Sequence, residues 1–97
     1  MRNERFEWDD EKARKNLLKH GVSFEEAALA LDDASAIIEI DDSDPYEERW
    51  RTIGLAWESI LFVVSTERHG GIIRIISART ANRNEQDRYN RQALPER

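Results

Sequence analysis

The chain has 97 residues, enough for one domain with a modest core and too few for a second lobe around a deep cofactor cleft. It is 39% apolar and 36% charged and has no cysteine, which excludes a disulfide framework, thiolate catalysis and cysteine-ligated zinc or iron–sulfur sites, and fits a reducing cytoplasm. The net charge of −5 is unevenly spread: residues 1–50 hold 15 acids and 7 bases, whereas residues 51–97 hold 5 acids and 8 bases, all arginine.

The start of the chain has no apolar run that could serve as a signal peptide. Phe6-Glu7-Trp8 alternates like a short edge strand. Asp9 and Asp10 then cap a helix beginning at Glu11, with Ala13, Leu17 and His20 on one stripe and Gly21 at the C-cap. Ser23 to Glu26 is a capping box. It opens a second helix that buries Phe24, Ala27, Ala28 and Leu31. Asp32-Asp33 ends that helix poorly, since acids oppose the dipole there, and the end is expected to fray. Ala36 to Ile40 is β-branched and apolar, and Asp41 to Pro45 is a loop. Trp50 to Trp57 alternates, placing Arg51, Ile53, Leu55 and Trp57 on one side, with Trp57 expected in the core. Glu58-Ser59 reads as a tight turn. Ile60 to Val64 is the longest apolar stretch, far short of the roughly 20 residues a membrane span needs. Its lack of alternation predicts a central strand covered on both faces. His69-Gly70-Gly71 is a hairpin signal, Ile72 to Ala78 the next strand, and Asn82 to Glu85 a capping box for a last helix through about Gln92. Leu94 to Arg97 reads as a frayed tail. The order predicts an α+β fold in one domain, residues 1–97: two N-terminal helices, an antiparallel meander of about four strands, and a C-terminal helix.

The arginines concentrate near the end of the chain. Arg74 interrupts an apolar strand, and on a period of two it shares a face with Ile72, Ile76 and Ala78, while Ser77 and Arg79 share the other with Ile73 and Ile75. Two readings stand for Arg74: an ion pair, with Glu67 or Glu39, or a phosphate clamp, because a guanidinium offers paired donors to phosphate oxygens. Arg79, Arg83 and Arg88 carry the basic series into the helix, and Arg68 lies across the hairpin. Tyr89 is either a core anchor or a stacking platform for a base. His20 is either a cationic helix end or a general acid or base. His69 reads as a solvated turn residue. No histidine spacing, calcium loop, P-loop or nucleophile elbow is present, so neither a metal nor a cofactor is expected.

Several segments in order resemble the BrnT toxin family, related to RelE-type ribonucleases. They are Phe6-Glu7-Trp8-Asp9, the run Lys19 to Ala27, Glu48-Arg49 with Ile53-Gly54, Thr66-Glu67-Arg68, and Arg74 to Arg79 followed by Ala81, Glu85 and Tyr89. The resemblance implies a RelE-like fold and a metal-independent endoribonuclease that slows growth by cutting RNA. It also implies a BrnA-type antitoxin with a ribbon-helix-helix domain, which alone would contact operator DNA; the short apolar stretches themselves predict no membrane partner. On this basis His20, Glu67, Arg79 and Tyr89 are the candidate catalytic residues. Lys19, Arg68, Arg74, Arg83 and Arg88 are the candidate RNA-binding residues. Ser65 and Thr80 depart from the family pattern, where many relatives carry an aromatic and a base; the departure implies weaker RNA binding or other cleavage sites. A second reading from another class is a non-catalytic toxin-fold protein acting as an antitoxin partner or corepressor.

Overall fold

The structure, a computed structural model, describes residues 1–93; the expected frayed tail, Leu94 to Arg97, lies outside the described residues. Phe6–Glu7 forms a short strand, β1, and Asp9 caps α1, Asp10–His20, by accepting from the Lys12 amide. Gly21 closes that helix at φ 70°, a conformation that favours a residue without Cβ. Ser23 and Glu26 complete the capping box of α2, Phe24–Leu31. The meander follows as β2, Ile37–Asp41, β3, Arg49–Ala56, β4, Ser59–Glu67, and β5, Ile73–Thr80. A short 3-10 turn at His69–Gly71 joins the last pair, and α3 spans Arg83–Ala93.

The strand order is β1-β5-β4-β3-β2. The meander strands pair antiparallel, as expected, and β1 joins the sheet as a fifth strand, parallel to β5. Parallel neighbours need a long crossover, and the chain between β1 and β5 supplies it. α1 and α2 cover one face, where Phe24 of α2 packs with Leu61, Val63, Ile75 and Ala78 and stands edge-on to Trp8. α3 packs on the other face, where Ala81 and Tyr89 meet Ile53, Ile60 and Phe62. β4 is therefore apolar on both sides, as its lack of alternation predicts. Gly54 lies directly beneath α2, and a Cβ there would collide with the Ala30 carbonyl oxygen.

Tertiary geometry corrects some local expectations. The buried residue of α1 is Asn16; Leu17 and His20 face solvent. The Asn16 amide donates to the carbonyls of Ala78 (2.8 Å) and Val22 (3.0 Å) and accepts from the Ala78 amide (3.1 Å). A side chain thus serves the edge of β5 beyond the point where β1 stops. Asp32 and Asp33 are held by distant partners rather than frayed. Asp32 pairs with Arg5, and Asp33 accepts from the Ser35 and Leu55 amides and the Tyr89 hydroxyl. Trp57 is 72% exposed rather than buried. The ladder ends at Ala56 and Ser59, so Trp57 and Glu58 form the hairpin turn, one residue earlier than expected, and Trp57 takes φ 52°.

β5 does not keep a period of two. Val64 faces Ser77 but Ser65 faces Ile75, so Ile76 is the extra residue of a β-bulge. The bulge resets the alternation. Ile73, Ile75 and Ala78 all reach the core beneath α1 and α2, and Arg74, Ser77 and Arg79 share the opposite face. The simple alternation, which separates Arg74 from Arg79, is corrected accordingly.

Candidate nucleic-acid interface

Strand register arranges the α3 side of the sheet in rows. One row reads Glu39, Arg51, Val64 and Ser77, and the next reads Ile37, Ile53, Phe62 and Arg79. Arg74 stands between Thr66 on β4 and Glu7 on β1. α3 covers the apolar row, which leaves the polar rows as a partly open surface studded with arginine.

Each of the central arginines is gripped by a carboxylate. Arg74 donates from Nη1 to Glu7 at 2.6 Å, so its ionic partner is Glu7 and not Glu67 or Glu39. That partner is set by the parallel pairing of β1, which no local pattern reports. The Arg74 hydrogen bond holds the Glu7 carboxyl below its ordinary range against the opposing effect of burial. Arg79 donates from both Nη atoms to the two oxygens of Glu85, at 2.8 and 3.0 Å, and stacks over the Phe62 ring at 4.1 Å. Glu85 is fixed in turn by its capping box, in which the Asn82 and Glu85 amides donate to each other's side chains at 2.8 Å. The Arg79 hydrogen bond depresses the Glu85 carboxyl. Arg88 reaches from α3 to Glu39 at 2.6 Å, and Arg51 approaches the same carboxylate at 3.4 Å.

The remaining sequence candidates take distinct places. The Tyr89 hydroxyl donates to Asp33 at 2.5 Å and its ring is buried, anchoring α3 to the α2–β2 junction. Burial and that carboxylate push the phenol up to about 12. Lys19 and His20 are exposed in the last turn of α1, where positive charge suits the helix dipole. Glu67 and Arg68 are exposed at the far end of β4, with Arg68 4.0 Å from Glu7. Arg83 is exposed at the start of α3, and His69 is exposed in its turn. The structure does not gather His20 and Glu67 into one cluster. His20 lies one turn past Asn16, which binds Ala78, whereas Glu67 faces Ile73. Those anchor points are separated along β5 by roughly 16 Å.

Two residues on this face escaped the sequence candidates. Arg51, with 42% of its side chain exposed, lies in the row that leads to Ser77. Arg49 is on the same side of β3, paired with Glu47 and Asp44. Their alternation with Ile53 was the available signal, but joining them to β5 needs the strand register. Glu7, the partner of Arg74, was missed for the same reason. Among the described residues no three histidines, cysteines or carboxylates gather as a metal site, and no helix is long and apolar enough to cross a membrane.

These features define a class first: a small α+β protein with carboxylate-braced arginines aligned on one sheet face. The family described as "Ribonuclease toxin, BrnT, of type II toxin-antitoxin system" matches residues 8–85, and the chain belongs to it. The resemblance read from the ordered segments is therefore borne out, and membership implies an antitoxin partner. The fold is similar to the crystal structure of the Brucella abortus ribonuclease toxin BrnT, with a TM-score of 0.65 and 26% identity over 81% of this chain and 97% of that one. No curated protein matches the sequence.

Proposed function

We propose that the protein is a metal-independent endoribonuclease toxin acting in the cytoplasm, neutralised by a BrnA-type ribbon-helix-helix antitoxin that alone contacts operator DNA. The observation that carries this reading is the bulge in β5, which brings Arg74 and Arg79 to one sheet face with Ser77 between them. Each guanidinium is oriented by a carboxylate yet stays partly open, with 27% and 36% of the side chain exposed. An arginine so fixed can present its free N–H groups to a phosphate without reorganising.

In the proposed reaction the ribose 2′-oxygen attacks the adjacent phosphorus and the bond to the 5′-oxygen breaks. A base takes the 2′-proton and an acid returns one to the leaving oxygen. Negative charge grows on the phosphoryl oxygens, where Arg74 and Arg79 stabilise it in place of a metal ion. His20 and Glu67 are the proton-transfer candidates from the sequence, but both stand on the α1–α2 side, Glu67 turned there with Ile73, so either would act only by reaching round the sheet to the arginine-bound phosphate. Lys19, Arg68, Arg83 and Arg88 hold flanking phosphates through sequence-independent contacts. Tyr89, its hydroxyl committed to Asp33, acts through position: it seats α3, which carries Glu85 and so sets the plane of Arg79.

The ion pairs themselves favour a second reading. If Glu7 and Glu85 neutralise their arginines permanently, the toxin fold serves only as an antitoxin partner or corepressor. Expression without a partner, followed by inspection of cellular RNA, separates the two. The enzyme reading expects growth arrest and fragmented RNA, abolished separately by Arg74→Ala and Arg79→Ala. Normal growth with intact RNA from a folded wild-type protein would establish the second.

A further inference from the structure

The sheet has an unfinished edge remote from β5. β2 is the outermost strand, bonded to β3 on one side and to no strand on the other among the described residues. Its five residues include neither proline nor lysine, and of its two charges Glu39 is turned to Arg51 and Arg88 on the α3 side. Ile38 and Ile40 are 61% and 58% exposed on that strand, on the side of the sheet that carries α2. A cleft of about 210 Å³ runs from Ile38 past Trp50 and Leu31 to Ile73. A second hollow of about 330 Å³ begins at Ile40 and is walled by Asp41, Asp42, Asp44, Glu47 and Glu48, of which Asp44 and Glu47 are already paired with Arg49. Glu67 stands at the inner end of the first cleft.

We propose that this edge docks an extended segment of the antitoxin, apolar at alternate positions and flanked by lysine or arginine, which adds to β2 as a sixth strand. The inference rests on the antitoxin reading above and names the surface and the chemistry of the contact. Backbone pairing along β2 supplies direction and register, and alternate apolar side chains enter the cleft beside Ile38 and Trp50. The acidic wall selects a basic segment and repels nucleic acid, so the partner avoids the Arg74–Arg79 face and approaches the candidate site only at Glu67, which lines the cleft. It also disfavours a second copy of this chain. Two β2 strands paired about a twofold axis would set Glu39 against Glu39 and bring two acidic walls together. Neutralisation follows from position. Glu39 belongs to the row that continues through Arg51 to Ser77, so a strand added outside β2 places its opposite side chains at the margin of the arginine face.

The test titrates the purified product of the adjacent reading frame against the full chain, wild type and variant. Ile38→Lys with Ile40→Lys is expected to weaken binding by about tenfold or more. In cells, the toxicity of that variant is expected to escape rescue. Asp42→Asn with Glu48→Gln, both at exposed positions away from the core, is expected to weaken binding several-fold and to flatten its salt dependence. Circular dichroism verifies the fold of each. Binding of folded variants within about twofold of wild type would overturn the docking surface while leaving the antitoxin reading intact. A wild-type chain that the adjacent product fails to bind overturns the antitoxin reading itself and the docking site with it. Self-association broken by the isoleucine substitutions, with partner binding unchanged, would assign the edge to a second copy instead.

Discussion

A guanidinium held by a carboxylate can be a strut or a clamp, and substitution separates the two roles at Arg79. Lysine keeps the charge but loses the bidentate grip on Glu85 and the flat stacking over Phe62. Arg79→Lys should therefore lower RNA cleavage by at least about tenfold, and Arg79→Ala should abolish it, while thermal unfolding stays cooperative. A purely structural arginine would show the reverse, a loss of stability with activity intact. Tyr89 makes a different statement. Its folded pKa is pushed up to about 12 by burial and by the Asp33 carboxylate. A phenol in the unfolded chain titrates near ~10, so the stabilisation from Tyr89 is complete below that value and is lost as pH rises through the folded one. Tyr89→Phe should remove this alkaline loss, leave Asp33 without its hydroxyl donor, and cost about 1–2 kcal/mol at neutral pH. Phenolate absorbance and denaturant unfolding between neutral and alkaline pH measure both effects.

At the scale of elements, local chemistry was legible wherever the chain acts on its immediate neighbours. The capping boxes at Ser23–Glu26 and Asn82–Glu85, the Gly21 helix end and the two-sided apolar strand β4 were all readable, because each depends on a few consecutive residues. What escaped was set by partners far along the chain. Trp57 alternates with Ile53, yet the ladder ends at Ala56, and the turn at φ 52° carries Trp57 out to solvent. Asn16 reads as a polar helix residue until β5 is seen to need its amide at Ala78. The closest packing between elements falls at Gly54. Gly54→Ala places a methyl group against the Ala30 carbonyl, and backbone cannot yield as a flexible side chain does. The substitution should destabilise by about 3 kcal/mol or more, read from the urea midpoint. An unchanged midpoint would mean that α2 sits farther from β3 than described.

For the whole molecule, the uneven charge noted in the sequence acquires a geometry. Arginines from β3, β5 and α3 meet on one sheet face, and the acids of residues 41–48 wall the free edge at β2. The charge count pointed to a basic surface on an acidic protein, but not to its members. The bulge at Ile76 unites Arg74 with Arg79, and the parallel β1 brings Glu7 from the far end of the chain to brace Arg74. Neither bulge nor crossover leaves a mark in a period-of-two reading. The same geometry keeps His20 and Glu67 apart and off the arginine face, so His20→Ala or Glu67→Gln should lower cleavage less than Arg74→Ala or Arg79→Ala. The most direct measurement is cleavage of a defined RNA by purified protein in the presence of a metal chelator, comparing wild type with Arg74→Ala and Arg79→Ala. The expected result is chelator-resistant cleavage by the wild type that leaves a cyclic phosphate end, with both variants folded and inactive. Undiminished cleavage by either folded variant, or wild-type cleavage that stops with chelation, would contradict it.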